Sequence, residues 1–150
     1  MRRGFTLIEM LVVAGVVVII ALTVGLNLLG FIGGQDLDNA TGVILAFLRD
    51  AQQRAINQEG GRYWGVRLEN LSGRDRYLLF SATDPNLSSF ATTSLGYLKR
   101  SVEFVQPTAN SSSTILFNKI RGNAWAEETI AIKAGSNTVN IRVFSDGRIQ

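Results

Sequence analysis

From Met10 to Ile32 the chain is almost wholly apolar, from Gln35 to Gln58 its apolar residues recur every three or four positions, and beyond Gly61 they alternate. Each pattern predicts a different element. A continuous helix over Met10 to Ile32 would be about 34 Å long, enough to cross the hydrocarbon core of a bilayer. Leu37, Ala40, Ile44, Phe47, Leu48, Ala51 and Ala55 then form one stripe of an amphipathic helix. Asp36, Asp38, Arg49, Asp50, Gln52, Gln53 and Arg54 mostly fill the other face, which is expected to be solvated. The helix is predicted to leave the bilayer unbroken and to stop near Gly60-Gly61, where paired glycines favour termination. Glycine costs about 0.8 to 1 kcal/mol against alanine in a helix, so Gly25 to Gly34 is expected to be its softest stretch, prone to bending or local melting. The same small residues equally suit close helix packing in a membrane.

After Gly61, Trp64, Val66 and Leu68 alternate with Tyr63, Arg67 and Glu69. With the turn residues Asn70 to Asp75 and the run Tyr77 to Phe80, this reads as a hairpin. Ser81 to Ser94 reads as a polar loop containing Pro85. Further strands are expected at Leu98 to Val105, Thr114 to Asn118, Thr129 to Lys133 and Thr138 to Phe144, making an antiparallel sheet. One helix cannot cover both faces of such a sheet, so the sheet must curl or fold on itself. Its expected core is Trp64, Phe117, Trp125, Ile130, Ile132, Val139, Ile141 and Val143. The fold class is therefore α+β, a long N-terminal helix packed on an antiparallel β-sheet head.

The first residues, Met1-Arg2-Arg3-Gly4-Phe5-Thr6-Leu7-Ile8-Glu9, decide how the apolar run is read. A cleaved secretory signal needs a short apolar core and a small-residue cleavage site, and this run is too long and lacks the site. A plain single-span anchor explains Arg2 and Arg3 as cytoplasmic charges. It leaves Glu9 unexplained, because an ionised carboxylate at the membrane edge is costly and calls for a partner.

Arg3-Gly4-Phe5-Thr6-Leu7-Ile8-Glu9 followed by an apolar helix resembles the class III signal of type IV pilins and of the pseudopilins of type II secretion. The resemblance covers residues 2 to 22. It implies that a prepilin peptidase cuts after Gly4 and that Phe5 becomes a methylated N-terminus. It also implies that Glu9 meets the positive N-terminus of an adjacent subunit during assembly. A buried carboxylate and a buried ammonium are each expensive alone and tolerable as a pair, which fits that role. In family members at the extreme tip of a filament the glutamate is replaced, so Glu9 argues against that position. Major pilins of the family often carry a proline where this chain has Leu26. Leu48 to Ile56 leading into a hairpin, with an end closing on Phe144-Ser-Asp-Gly147-Arg148-Ile149, is similar to the H-type minor pseudopilins and their pilus-biogenesis relatives.

By this resemblance residues 1–4 are a leader, 5–32 a transmembrane and filament-core helix, 33–59 its amphipathic continuation, and 60–150 an exported β-rich head. The implied location is the cytoplasmic (inner) membrane, single-pass, with the N-terminus cytoplasmic, and then a filament. The implied partners are the prepilin peptidase, other pilin or pseudopilin subunits, the inner-membrane assembly platform and the lipid bilayer.

Composition narrows the rest. The 150 residues contain no cysteine and no histidine, which excludes disulfide stapling, a His-based triad and a His-ligated metal. The net charge of +3 owes much to Arg2 and Arg3; without them 13 basic residues face 12 acidic ones. That balance gives no strong argument for nucleic acid. No nucleophile elbow or phosphate-binding loop is present, and Glu127-Glu128 is a lone acidic pair, so no catalytic residue, cofactor or metal site is expected. Two alternatives to an H-type minor pseudopilin stay open, a major pilin and a DNA-binding minor pilin of a DNA-uptake apparatus. Lys119, Arg121, Arg142 and Arg148 are the basic residues available for the latter.

Overall fold

The computed structural model describes residues 6–150, with side chains described for 6–22 and 34–150. Helix α1 (Leu7–Ile56) is a single 50-residue element. It runs through the glycines from Gly25 to Gly34 without the local melting their propensity allows. It ends at Ile56 rather than at the paired glycines, which instead form a short 3₁₀ turn, Glu59–Gly61. Gly60 and Gly61 both take positive φ there, at 63° and 66°.

Seven strands follow: β1 (Tyr63–Asn70), β2 (Arg76–Ala82), β3 (Phe90–Tyr97), β4 (Glu103–Gln106), β5 (Ser111–Phe117), β6 (Glu128–Ala134) and β7 (Asn137–Val143). They form two antiparallel sheets, a four-stranded one in the order β3-β2-β1-β5 and a three-stranded one in the order β4-β6-β7. The expected folding-over of one sheet is thus achieved by division into two. Helix α1 lies against both. Its stripe supplies Leu37, Ile44, Leu48, Ala51 and Ala55 to a core shared with Trp64, Val66, Leu68, Phe117, Ile130, Ile132, Ile141 and Val143. Outer helix and strands therefore form one cooperative unit.

A second, smaller cluster of Leu78, Phe80, Ala82 and Leu116 lies apart from that core, with Leu87 packed against it. Strand β2 contributes to both clusters, Tyr77 and Leu79 to the main core and Leu78 and Phe80 to this one, so it reads as a continuous apolar run. Gly65 sits in β1 between β2 and β5, where an added Cβ would lie 2.5 Å from the Ile115 carbonyl oxygen.

Four expectations need correction. Residues 90–94 are not loop but the first half of β3, an edge strand whose Phe-Ala-Thr-Thr-Ser sequence is exposed and carries no burial pattern. Leu98 to Val105 is not one strand, because Leu98 and Val102 plug the core from a connecting turn and only Glu103–Gln106 pairs. Trp125 is 51% exposed rather than core. Ala124 takes the buried place beside Phe117, to which it bridges, and Trp125 turns outward with its ring edge-on to Tyr63 at 6.3 Å. Val139 is only partly buried.

Candidate functional site

The N-terminus of α1 is built as a capped helix start. Thr6 is the N-cap, with extended backbone (φ −80°, ψ 153°), and its hydroxyl oxygen accepts from the Glu9 backbone N–H at 3.3 Å. Thr6 and Glu9 thus hold the first and fourth positions of a capping box. The Glu9 carboxylate sits in the first turn, where the unsatisfied N–H groups favour negative charge. The ion pairs among the described residues lie from Asp36 onward, and none involves Glu9. Gly4, Phe5 and the leader lie outside the described residues.

Above this cap the described apolar side chains of the helix stand exposed. Every large apolar side chain from Leu7 to Leu22 is at least half exposed, from 50% at Val16 to 83% at Leu7. Val16, Val17, Val18, Ile19 and Ile20 follow one another, so the apolar surface covers all sides of the cylinder. Burying one such side chain is worth about 1.5 to 3 kcal/mol, and water is therefore a poor solvent for this segment. Among the described residues no helix is long and apolar enough to cross a membrane.

Where α1 leaves its apolar run, the head is latched to it. Asp36 accepts from Lys99 Nζ at 2.5 Å and from the Ser101 hydroxyl at 2.7 Å. It is therefore not a freely solvated residue of the outer face. The Lys99 hydrogen bond, followed by that from Ser101, holds the Asp36 carboxyl below its ordinary 3.8. The Arg148 backbone N–H and then its side chain do the same for Asp146. Both folded values lie below the unfolded ones, so their stabilisation is complete above pH 3.8 and is lost as pH falls further. Asp36→Asn is expected to melt earlier than the parent at pH 7, with the gap closing below pH 3.8. Parallel acid-limb melts check this, and a gap that stays constant with pH would refute it.

Gln52 also departs from the solvated-face expectation. Its Nε2 donates at 2.8 Å to both the Gly122 and Gly147 carbonyl oxygens, tying the helix to two distant turns. A Cβ at Gly147 would lie 2.8 Å from the Gly122 oxygen and 2.9 Å from Gln52 Nε2, and its φ of 91° also favours glycine. Gln52→Ala should therefore cost about 1 to 3 kcal/mol by orphaning two acceptors. It should also speed amide exchange at Ser145 to Gln150, and unchanged melting and exchange would overturn the assignment. Asn70 plays a similar part, donating from Nδ2 at 2.9 Å to the Phe104 and Pro107 carbonyl oxygens. Neither latch has a periodicity that would flag it in sequence.

The four basic residues considered for nucleic acid are dispersed in function. Lys119 donates to the Gly61 carbonyl oxygen and stands 4.1 Å over the Tyr63 ring. Arg148 pairs with Asp146 at 2.7 Å and lies over Phe144. Arg121 and Arg142 are exposed. Among the described residues no group of three or more acidic side chains is placed to hold a metal ion.

Residues 1–25 match the family model described as the prokaryotic N-terminal methylation motif. No curated protein and no solved structure matches the chain. The motif covers Gly4, Phe5 and Glu9, is consistent with the pilin and pseudopilin resemblance, and supports a precursor of that type. It implies processing by prepilin peptidase, assembly with other pilin subunits and anchoring in the inner membrane through the N-terminal helix.

Proposed function

We propose that this chain is a structural subunit of a type IV pilus-like filament or type II secretion pseudopilus. It is cut after Gly4, methylated on Phe5, held single-pass in the inner membrane with the head outside, and then drawn by the assembly platform into a filament. The observation that carries the reading is the helix itself. From Leu7 to Leu22 it presents large apolar side chains that are at least half exposed on every side, while its outer half is the backbone of the head's core. A helix of that kind needs lipid first and neighbouring helices later, which a methylation-motif precursor provides.

The minor, H-type assignment draws support from the hairpin β1–β2 that follows α1 after a single short turn. The DNA-uptake reading draws less, since Lys119 and Arg148 already spend their charge locally.

N-terminal mass spectrometry of protein made in its own host tests the proposal. The expected species begins at Phe5 and carries one added methyl group. Gly4→Trp should accumulate as the uncut precursor, because a peptidase site at the membrane edge has little room for a side chain at the bond. Mature protein of parental mass from that variant would overturn the assignment of Gly4.

A further inference from the structure

The head has a defined lower and upper end along α1. At the upper end Ile120 N donates to the Ala55 carbonyl oxygen at 3.2 Å. At the lower end the β3–β4 connection reaches Asp36 through Lys99 and Ser101. Asp36 lies only four residues, about 6 Å of helix, beyond Ile32, where the apolar run stops. The polar layer outside the hydrocarbon of a bilayer is about 5 to 7 Å thick on each side. If the apolar run spans the membrane, the β3–β4 connection stands at the level of the lipid headgroups.

That connection and the β1–β2 turn enclose an open notch of about 300 Å³, lined among others by Ser72, Arg74, Asp75, Lys99, Arg100 and Glu103. Its charges are unequally satisfied. Lys99 is taken by Asp36, and Glu103 pairs with Lys133 at 2.9 Å. Asp75 is buried and turned inward, accepting from Leu71 N at 3.2 Å and Phe104 N at 2.7 Å. Arg74 spends only Nε, on the Leu98 carbonyl oxygen at 3.0 Å, and its guanidinium lies 5.2 Å over the Tyr97 ring. Among the described residues no acid pairs with Arg74 or with Arg100. Asp38, the nearby acid on α1, is two residues from Asp36 and so about 200° around the helix from it.

We infer that this notch is a headgroup site: Arg74 and Arg100 hold the phosphodiester of an anionic phospholipid in the outer leaflet while the subunit waits in the membrane. A guanidinium matches phosphate oxygens with paired N–H donors. The contact seats the head on the bilayer and must be given up when the subunit rises into the filament. This rests on the single-pass membrane reading above.

The test uses the full chain reconstituted in vesicles of phosphatidylcholine with or without phosphatidylglycerol. Because the chain has no cysteine, Ser72→Cys gives one dye position on the rim of the notch. Quenching by headgroup-labelled phosphatidylglycerol should exceed that by equally labelled phosphatidylcholine, and should weaken as salt rises. One basic residue near an anionic surface is worth about fivefold, so Arg74→Gln with Arg100→Gln should remove a preference of about 25-fold. Equal quenching by both lipids would overturn the inference, as would a preference that survives the double variant. Displacement by inorganic phosphate at matched ionic strength, or crosslinking between two chains through the Ser72→Cys thiol in place of lipid contact, would likewise overturn it. Vesicle flotation after alkaline washing separates the two readings. Chain that does not float refutes the membrane span, whereas chain that floats without lipid preference refutes only the headgroup site.

Discussion

Leu48→Asp is expected to abolish the folded head at room temperature. Leu48 is fully buried, in the middle of the helical stripe shared with both sheets. Removing its side chain alone costs about 2 to 5 kcal/mol, and the carboxylate adds the penalty of an unpaired charge away from water. A small domain has only about 5 to 15 kcal/mol to lose. Arg49→Asp, one residue on and exposed, is the matched control and should stay within about 0.5 kcal/mol of the parent. Phe47→Asp should fall between them. Phe47 is half-buried, but its ring meets Tyr77 edge-on at 4.9 Å. Near-ultraviolet circular dichroism during thermal unfolding of the detergent-solubilised chain reads all three. Equal melting of Leu48→Asp and Arg49→Asp would show that the stripe does not face the sheets.

Glu9→Ala should leave cleavage and membrane insertion intact and cut incorporation into filaments at least a hundredfold. Two accounts of Glu9 predict different sizes. As a helix-start acid above the Thr6 cap it is worth about 0.3 to 1 kcal/mol, entirely within one subunit. Paired with the Phe5 amine of a neighbour in a low-dielectric core, its removal strands a charge at about 3 to 5 kcal/mol. Thr6→Ala separates them, since it removes the cap, worth about 1 kcal/mol, and keeps the carboxylate. In-host crosslinking to other pilin-like subunits should therefore fall for Glu9→Ala and hold for Thr6→Ala. If both variants assemble like the parent, Glu9 is a capping residue and no more.

The helical half of the molecule was legible because its determinants are local. Leu37, Ile44, Leu48, Ala51 and Ala55 share a face by helical spacing alone, and all five are buried. The methylation motif is likewise contiguous, so Gly4, Phe5 and Glu9 stand out without a fold. Strands β1, β6 and β7 showed in sequence because each sets inward against outward residues with period two, and β2 showed as an apolar run.

What tertiary structure decided is what depends on partners far along the chain. Strand β3 exists through backbone hydrogen bonds to β2, and as an exposed edge it leaves no apolar alternation to read. The choice of Ala124 over Trp125 for the core follows from the bridge to Phe117. Gln52 is a latch only because turns 70 and 95 residues away bring two carbonyl oxygens to its amide. The division into two sheets follows from strand pairing, with β5 joining β1 while β4 and β7 flank β6. Periodicity reports which side of an element is buried. It carries no information on which neighbour does the burying, and that choice belongs to long-range hydrogen bonds and packing.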